Sequence, residues 1–200
     1  MKVTLLFLLF IPSVLQASVM GISTHPLNDE ARVISAEMTG YMSQRQEIGA
    51  GLRYTQETGP QRRLDFSVAG AQDSRGLMAG GGMDFELLSE DTNQPRVSIK
   101  PFLQYQKYES SSTNILGAAP SIRKGLVVVG KEIFPYLALP AGMKIDSVTS
   151  EFSYYASMTF GLSMPFPGAH QDKILLSLEA NRNMGASFDY VGCLVSWIWK

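Results

Sequence analysis

Residues 152–164, FSYYASMTFGLSM, alternate without a break. Phe152, Tyr154, Ala156, Met158, Phe160, Leu162 and Met164 interleave with Ser153, Tyr155, Ser157, Thr159, Gly161 and Ser163. A period of two predicts a β-strand with one apolar face and one small or polar face. Neither face carries a charge. The stretch is 13 residues long, more than the roughly 9–11 that a tilted strand needs to cross a bilayer.

The same pattern recurs from about Arg32 onward, broken by turn chemistry. Ile34, Ala36, Met38, Gly40 and Met42 stand opposite Ser35, Glu37, Thr39 and Tyr41. Over 47–56, Ile48, Ala50, Leu52 and Tyr54 oppose Glu47, Gly49, Gly51, Arg53 and Thr55. After a turn at 57–61, segment 62–71 sets Leu64, Phe66 and Val68 against Arg63, Asp65 and Ser67. Segment 77–88 sets Leu77, Ala79, Met83, Phe85 and Leu87 against Gly80, Gly82, Asp84 and Glu86. A polar turn at 89–95 leads to 96–108, where Val97, Ile99, Leu103 and Tyr105 oppose Ser98, Lys100, Gln104 and Gln106.

Residues 109–121, with Ser110 to Asn114 and Pro120, read as the longest polar connection and as an external loop. Beyond it, Leu126 to Val129 is a continuous apolar run, and Pro135, Pro140 and Gly142 interrupt the region. One strand is expected at about 124–137 and a turn near Pro140-Ala141-Gly142, with 143–149 left open as a further short strand. Segment 173–181, with Ile174, Leu176, Leu178 and Ala180 opposite Ser177, Glu179 and Asn181, and segment 188–199 complete the series. The count is nine strands, ten if 143–149 pairs and eight if two neighbours merge.

The chain opens with Lys2, a short apolar run from Val3 to Ile11, Pro12, and small residues near Ala17-Ser18. This is the plan of a secretory signal peptide, with cleavage expected after Ala17. The expected organisation is therefore a signal peptide at 1–17, a lead-in at 18–31, and one β-domain at 32–200. The single cysteine, Cys193, excludes a scaffold held by internal disulfides. A net charge of −1, from 17 basic and 18 acidic residues, gives no footprint for nucleic acid. Past residue 17 no apolar run approaches the length of a membrane helix, so an integral form of this protein has to be a barrel.

The two faces decide between membrane and water. The apolar sets contain no Lys, Arg, Asp or Glu, as a lipid-facing surface requires. The opposite sets hold Glu37, Arg53, Arg63, Asp65, Asp84, Glu86, Lys100 and Glu179, which a soluble barrel would replace with apolar groups. These eight residues are expected to form a lumen-facing network of mixed sign. In a narrow barrel they fill the interior as a plug, and in a wider one they line a polar channel.

Candidate chemistry is sparse. Gly125 to Lys131 has the spacing of a phosphate-binding loop, yet Glu132 replaces the magnesium-binding hydroxyl and Val127 to Val129 favour a strand. His170 and Asp172 with a serine would suit a base and orienter pair at a barrel rim, but the preferred reading is a solvated turn histidine. The other histidine, His25, lies in the lead-in. No enzymatic activity, cofactor or metal site is expected.

The final segment carries a family likeness. Val191, Cys193, Val195, Trp197 and Trp199 alternate toward an aromatic end, and in this the chain resembles the small outer-membrane β-barrels of Gram-negative bacteria. In that class the last strand ends in an aromatic residue that the outer-membrane assembly machinery reads. Here Lys200 follows, so the aromatic is penultimate. The resemblance implies an all-β fold, a closed antiparallel up-and-down transmembrane β-barrel, and even strand numbers make it 8 or 10 strands. It implies a monomer in outer-membrane lipid with a structural or surface-contact role. A narrow channel for small polar or amphipathic solutes, a soluble periplasmic barrel holding an apolar ligand, and a barrel-embedded lipid-modifying enzyme remain open alternatives.

Overall fold

The computed structural model describes residues 26–27, 31–41, 48–71, 76–108, 111–166, 173–184 and 188–199. The expected signal peptide, His25, His170 and Asp172 lie outside these residues. The strands are β1 (Arg32–Tyr41), β2 (Ile48–Gly59), β3 (Arg62–Ala71), β4 (Leu77–Leu88), β5 (Arg96–Tyr108) and β6 (Ser111–Arg123). They continue as β7 (Leu126–Val128), β8 (Lys131–Ala138), β9 (Ala141–Asp146), β10 (Phe152–Pro165), β11 (Ile174–Asn183) and β12 (Phe188–Trp199).

β1 to β6 pair antiparallel in sequence order, β6 and β10 both pair with β8 and with β9, β10 to β12 follow in order, and β12 pairs with β1, so the sheet closes on itself. The result is a closed antiparallel barrel of 10 strands, β8 and β9 sharing one stave. Closure leaves the wall without an unpaired edge, which is what a sheet in hydrocarbon needs. Both chain ends of the barrel, Arg32 and Trp199, are register partners and mark one rim, here the terminal end.

Three expectations are corrected in the middle of the chain. Residues 109–121 are no external loop, because β6 runs through Ser111–Arg123 and pairs with β5 over its whole length. The middle of its lumen face, Ile115 and Ala119, is apolar, so outward Leu116 and Ala118 have no polar partners to alternate with. The expected strand at 124–137 is a hairpin instead. It folds at Val129 and Gly130, both at positive φ (51° and 72°), and joins β7 to β8 beyond the wall. A β-branched residue in that conformation is uncommon.

The expected turn at Pro140 is also absent. Ser121 pairs with Ala138 and Ala118 with Ala141 in unbroken register, so the stave runs straight from β8 into β9. Pro140 has no N–H to give to the ladder, which is why the strand is interrupted there. Flanking bonds hold the joint: the Leu139 N–H donates to the Pro120 carbonyl and the Ser157 N–H to the Pro140 carbonyl, both at 2.9 Å. The short strand left open at 143–149 is present, begins earlier and ends at Asp146.

The barrel is inside-out relative to a soluble protein. Leu52, Phe66, Leu103, Leu116 and Trp197 are exposed on the wall, while Glu37, Arg53, Asp65, Lys100 and Glu179 are buried within. Arg32 and Arg62 at the terminal end and Lys107 and Arg182 at the far end bound the outward face. Among the described residues the strand positions facing outward between them carry no charge. Tyr54 and Trp199 meet near the terminal rim with ring centroids 6.3 Å apart, part of the aromatic belt that such walls place at the membrane interface.

Candidate functional site

The lumen is the one region where polar chemistry concentrates, and alternation on each stave puts it there. At the terminal end, Arg63 Nη2 lies 2.6 Å from Glu57 Oε1, Arg96 Nη2 lies 2.9 Å from Asp84 Oδ2, and Arg96 also bonds Glu86. Arg123 Nη2 lies 3.0 Å from Glu90 Oε2, and its guanidinium sits 5.6 Å from the centre of the Phe134 ring. Lys124 donates to the carbonyls of Asp91, Thr92 and Gln94, which ties the 89–95 turn against the base of β6.

Deeper in, three links cross between staves. Arg53 Nη2 lies 2.9 Å from Glu37 Oε2 on adjacent strands β2 and β1. Lys100 reaches from β5 past Gly82 on β4 to Asp65 on β3. The Tyr136 hydroxyl donates to Glu179, reaching from β8 over β10 to β11. Above them Asn181 donates to Thr159 at 2.7 Å and to Ser157 at 3.2 Å. Mixed signs in contact are what a low-dielectric interior demands, because an isolated charge there would be severely destabilising.

Glycines make these crossings possible. Gly161 is the register partner of both Tyr136 and Glu179, and the Tyr136 ring lies in the space a Cβ at Gly161 would take. A second row runs Phe102, Gly117, Gly142, Tyr155 across β5, β6, β9 and β10. The two rings meet edge-on above the glycines, with centroids 6.5 Å apart. Ile115, Ala119, Tyr136 and Ala138 join Phe102 in a small apolar core inside the lumen.

Of the eight charged residues read from the sequence, Glu37, Arg53, Arg63, Asp65, Asp84, Lys100 and Glu179 are buried and Glu86 is half-buried. Each has an ion-pair or hydrogen-bond partner in the lumen, though they form several small groups rather than one continuous network. The partners Glu57, Glu90, Arg96, Arg123 and Tyr136 went unread. Glu57 and Glu90 sit in or beside polar turn sequence, and Arg123 follows the polar stretch 109–121, so alternation does not mark them. Tyr136 has no polar alternation around it. The phosphate-loop spacing falls on the β7 and β8 hairpin. Among the described residues no group of three His, Cys, Asp or Glu is placed to hold a metal.

Val191, Cys193, Val195, Trp197 and Trp199 fall on alternate positions of β12. Val191, Val195 and Trp197 are exposed on the outer wall, with Leu194 and Ser196 buried between them. The strand is paired on both sides, by β11 and by β1.

No family model and no curated protein matches this chain. Among solved structures it is similar to an outer membrane channel from Pseudomonas putida F1, with a TM-score of 0.52 and 7% identity, covering 91% of this chain and 100% of that one. A de novo designed transmembrane β-barrel matches with a TM-score of 0.39 and 10% identity, covering 88% of this chain and all of the design. OccK5 of Pseudomonas aeruginosa matches with a TM-score of 0.27 and 8% identity, covering 81% of this chain and 62% of that one. At such identities the likeness concerns the fold, which is that of an outer-membrane β-barrel.

Proposed function

We propose that this protein is an integral outer-membrane β-barrel whose lumen is closed by its own side chains, and that it acts as a non-enzymatic wall component or surface contact. One observation carries the reading. A water-filled passage would leave its lining wet, yet Arg53 and Ser163 are 1% exposed and Thr159 is 0% exposed, and Glu37, Lys100 and Glu179 are also buried. In this reading the chain is exported through its N-terminal segment, stands in outer-membrane lipid as a monomer, and presents Val191, Cys193, Val195, Trp197 and Trp199 to the assembly machinery.

Planar-bilayer recording tests it directly. Purified, refolded protein should insert without stepwise conductance. Steady unitary steps from the unaltered chain would overturn the closed-lumen reading in favour of a narrow channel. That second reading draws on the Pseudomonas putida barrel, which is described as a channel and has the same fold. Heat-modifiable mobility and recovery in the membrane fraction test insertion itself, and recovery in the soluble periplasmic fraction without detergent would sink both.

A further inference from the structure

A groove of about 270 Å³ opens on the outer wall of β1, β2 and β3, lined by Ile34, Leu52, Tyr54, Phe66 and Val68 together with Arg53 and Ser67, which are themselves buried. These residues are cross-strand neighbours: Ile34 pairs with Tyr54, Leu52 with Val68 and Tyr54 with Phe66. The Phe66 ring lies over Gly81 on β4, where a Cβ would come within 2.9 Å of it, so the aromatic edge of the groove is held by a neighbouring stave. The groove lies inside the uncharged belt, where only hydrocarbon would fill it.

Its terminal end is marked by charge. Arg32 lies on the same face of β1, two positions before Ile34, and Arg62 lies on the same face of β3, four positions before Phe66. Both are exposed, and neither makes an ion pair among the described residues. Gln56 pairs with Leu64, so Arg62 stands two strands from Arg32 and two positions nearer the rim, about 12 Å away by ordinary strand spacing and rise, a span that two long arginine side chains can bridge to one phosphate-bearing headgroup. Between them Gln56 pairs with Arg32 across the strands and accepts a hydrogen bond from the Tyr54 hydroxyl at 2.9 Å. Trp199 pairs with Arg32 on the other side and contacts Tyr54. The order along the wall is apolar groove, aromatic and amide shelf, then two free cations.

We infer that this face is a binding site for an anionic glycerophospholipid of the leaflet at the terminal end, with an acyl chain in the groove and the phosphate between Arg32 and Arg62. The inference rests on the membrane reading above. Arginine next to an anionic lipid surface contributes about a fivefold preference per residue, so the two together favour an anionic headgroup over a zwitterionic one.

Both tryptophans of the chain, Trp197 and Trp199, flank the site, so their fluorescence reports on it. The protein is reconstituted in phosphatidylcholine vesicles containing a small, equal fraction of chain-brominated phosphatidylglycerol or chain-brominated phosphatidylcholine. Quenching by either brominated lipid reports that the barrel is in the bilayer, and its absence with both overturns the membrane reading and the site with it. The site predicts stronger quenching by brominated phosphatidylglycerol, a preference lost in the Arg32→Gln/Arg62→Gln double variant and kept in Lys107→Gln at the far rim. Equal quenching by the two lipids in the unaltered protein overturns the site while leaving the barrel reading intact. So does a preference that survives the double substitution. The comparison in unaltered protein needs no variant to fold, and heat-modifiable mobility checks the variants.

Discussion

Replacing Gly161 with alanine tests whether Tyr136 crosses the lumen as described. The new methyl would lie well inside the ~3.5–4.0 Å at which carbon atoms touch, directly against the Tyr136 ring. The ring has to retreat, and its hydroxyl then leaves Glu179. Forcing a methyl into a filled interior costs about 1–3 kcal/mol, and losing a buried hydrogen bond to a charged group about 1.5–3 kcal/mol. The two effects add to an expected loss of about 2.5–6 kcal/mol. The assay is a double-mutant cycle read by denaturant unfolding in lipid vesicles, with Trp197 and Trp199 as reporters. In a Tyr136→Ala background the obstructing ring is gone, so Gly161→Ala should cost less than about 0.5 kcal/mol. Equal losses in the two backgrounds would refute the reasoning, because the cost would then come from the strand and not from the ring above it.

Two further outcomes follow from the division between wall and lumen. Arg53→Met should destabilise by about 3–5 kcal/mol, because it leaves Glu37 buried without its guanidinium. Arg53→Met/Glu37→Met should recover much of that loss, and the same unfolding assay decides it. Leu52→Arg, on the exposed uncharged belt, should cost about 2–4 kcal/mol in a bilayer. A stability there equal to the parent would place Leu52 outside the hydrocarbon.

The barrel was legible from sequence wherever the lumen is polar. On β1, β2, β3 and β5, charged or hydroxyl residues such as Glu37, Arg53, Asp65 and Lys100 point inward, and alternation with outward Ile34, Leu52, Phe66 and Leu103 stands out. It faded where the lumen is apolar. Ile115, Ala119, Phe134, Tyr136 and Ala138 fill the inside of β6 and β8, so both faces of those strands look hydrophobic. Pro120, Pro135 and Pro140 then read as breaks, although the ladder carries them.

Partner choice was not legible either. Which cation meets which carboxylate depends on register between strands far apart in the chain, and Tyr136 finds Glu179 only because both align with Gly161. Two of the three glycines at 80–82 are crossing points, Gly81 beneath Phe66 and Gly82 beside Lys100, and nothing in the local sequence names those partners.

The stave-crossing links also impose an order in time. Adjacent hairpins such as β2 with β3 pair across a two-residue turn and have little loop entropy to overcome. Tyr136 and Glu179 are 43 residues apart and meet only after β10 has been laid between β8 and β11. Ser35 and Ser196, 2.7 Å apart across the closing pair of β1 and β12, are separated by 161 residues and join only when the last strand arrives. Such distant contacts form slowly. The interior is thus a record of completion: its polar links are late-arriving fastenings, and a chain caught before closure holds its hairpins while its buried charges still stand in water.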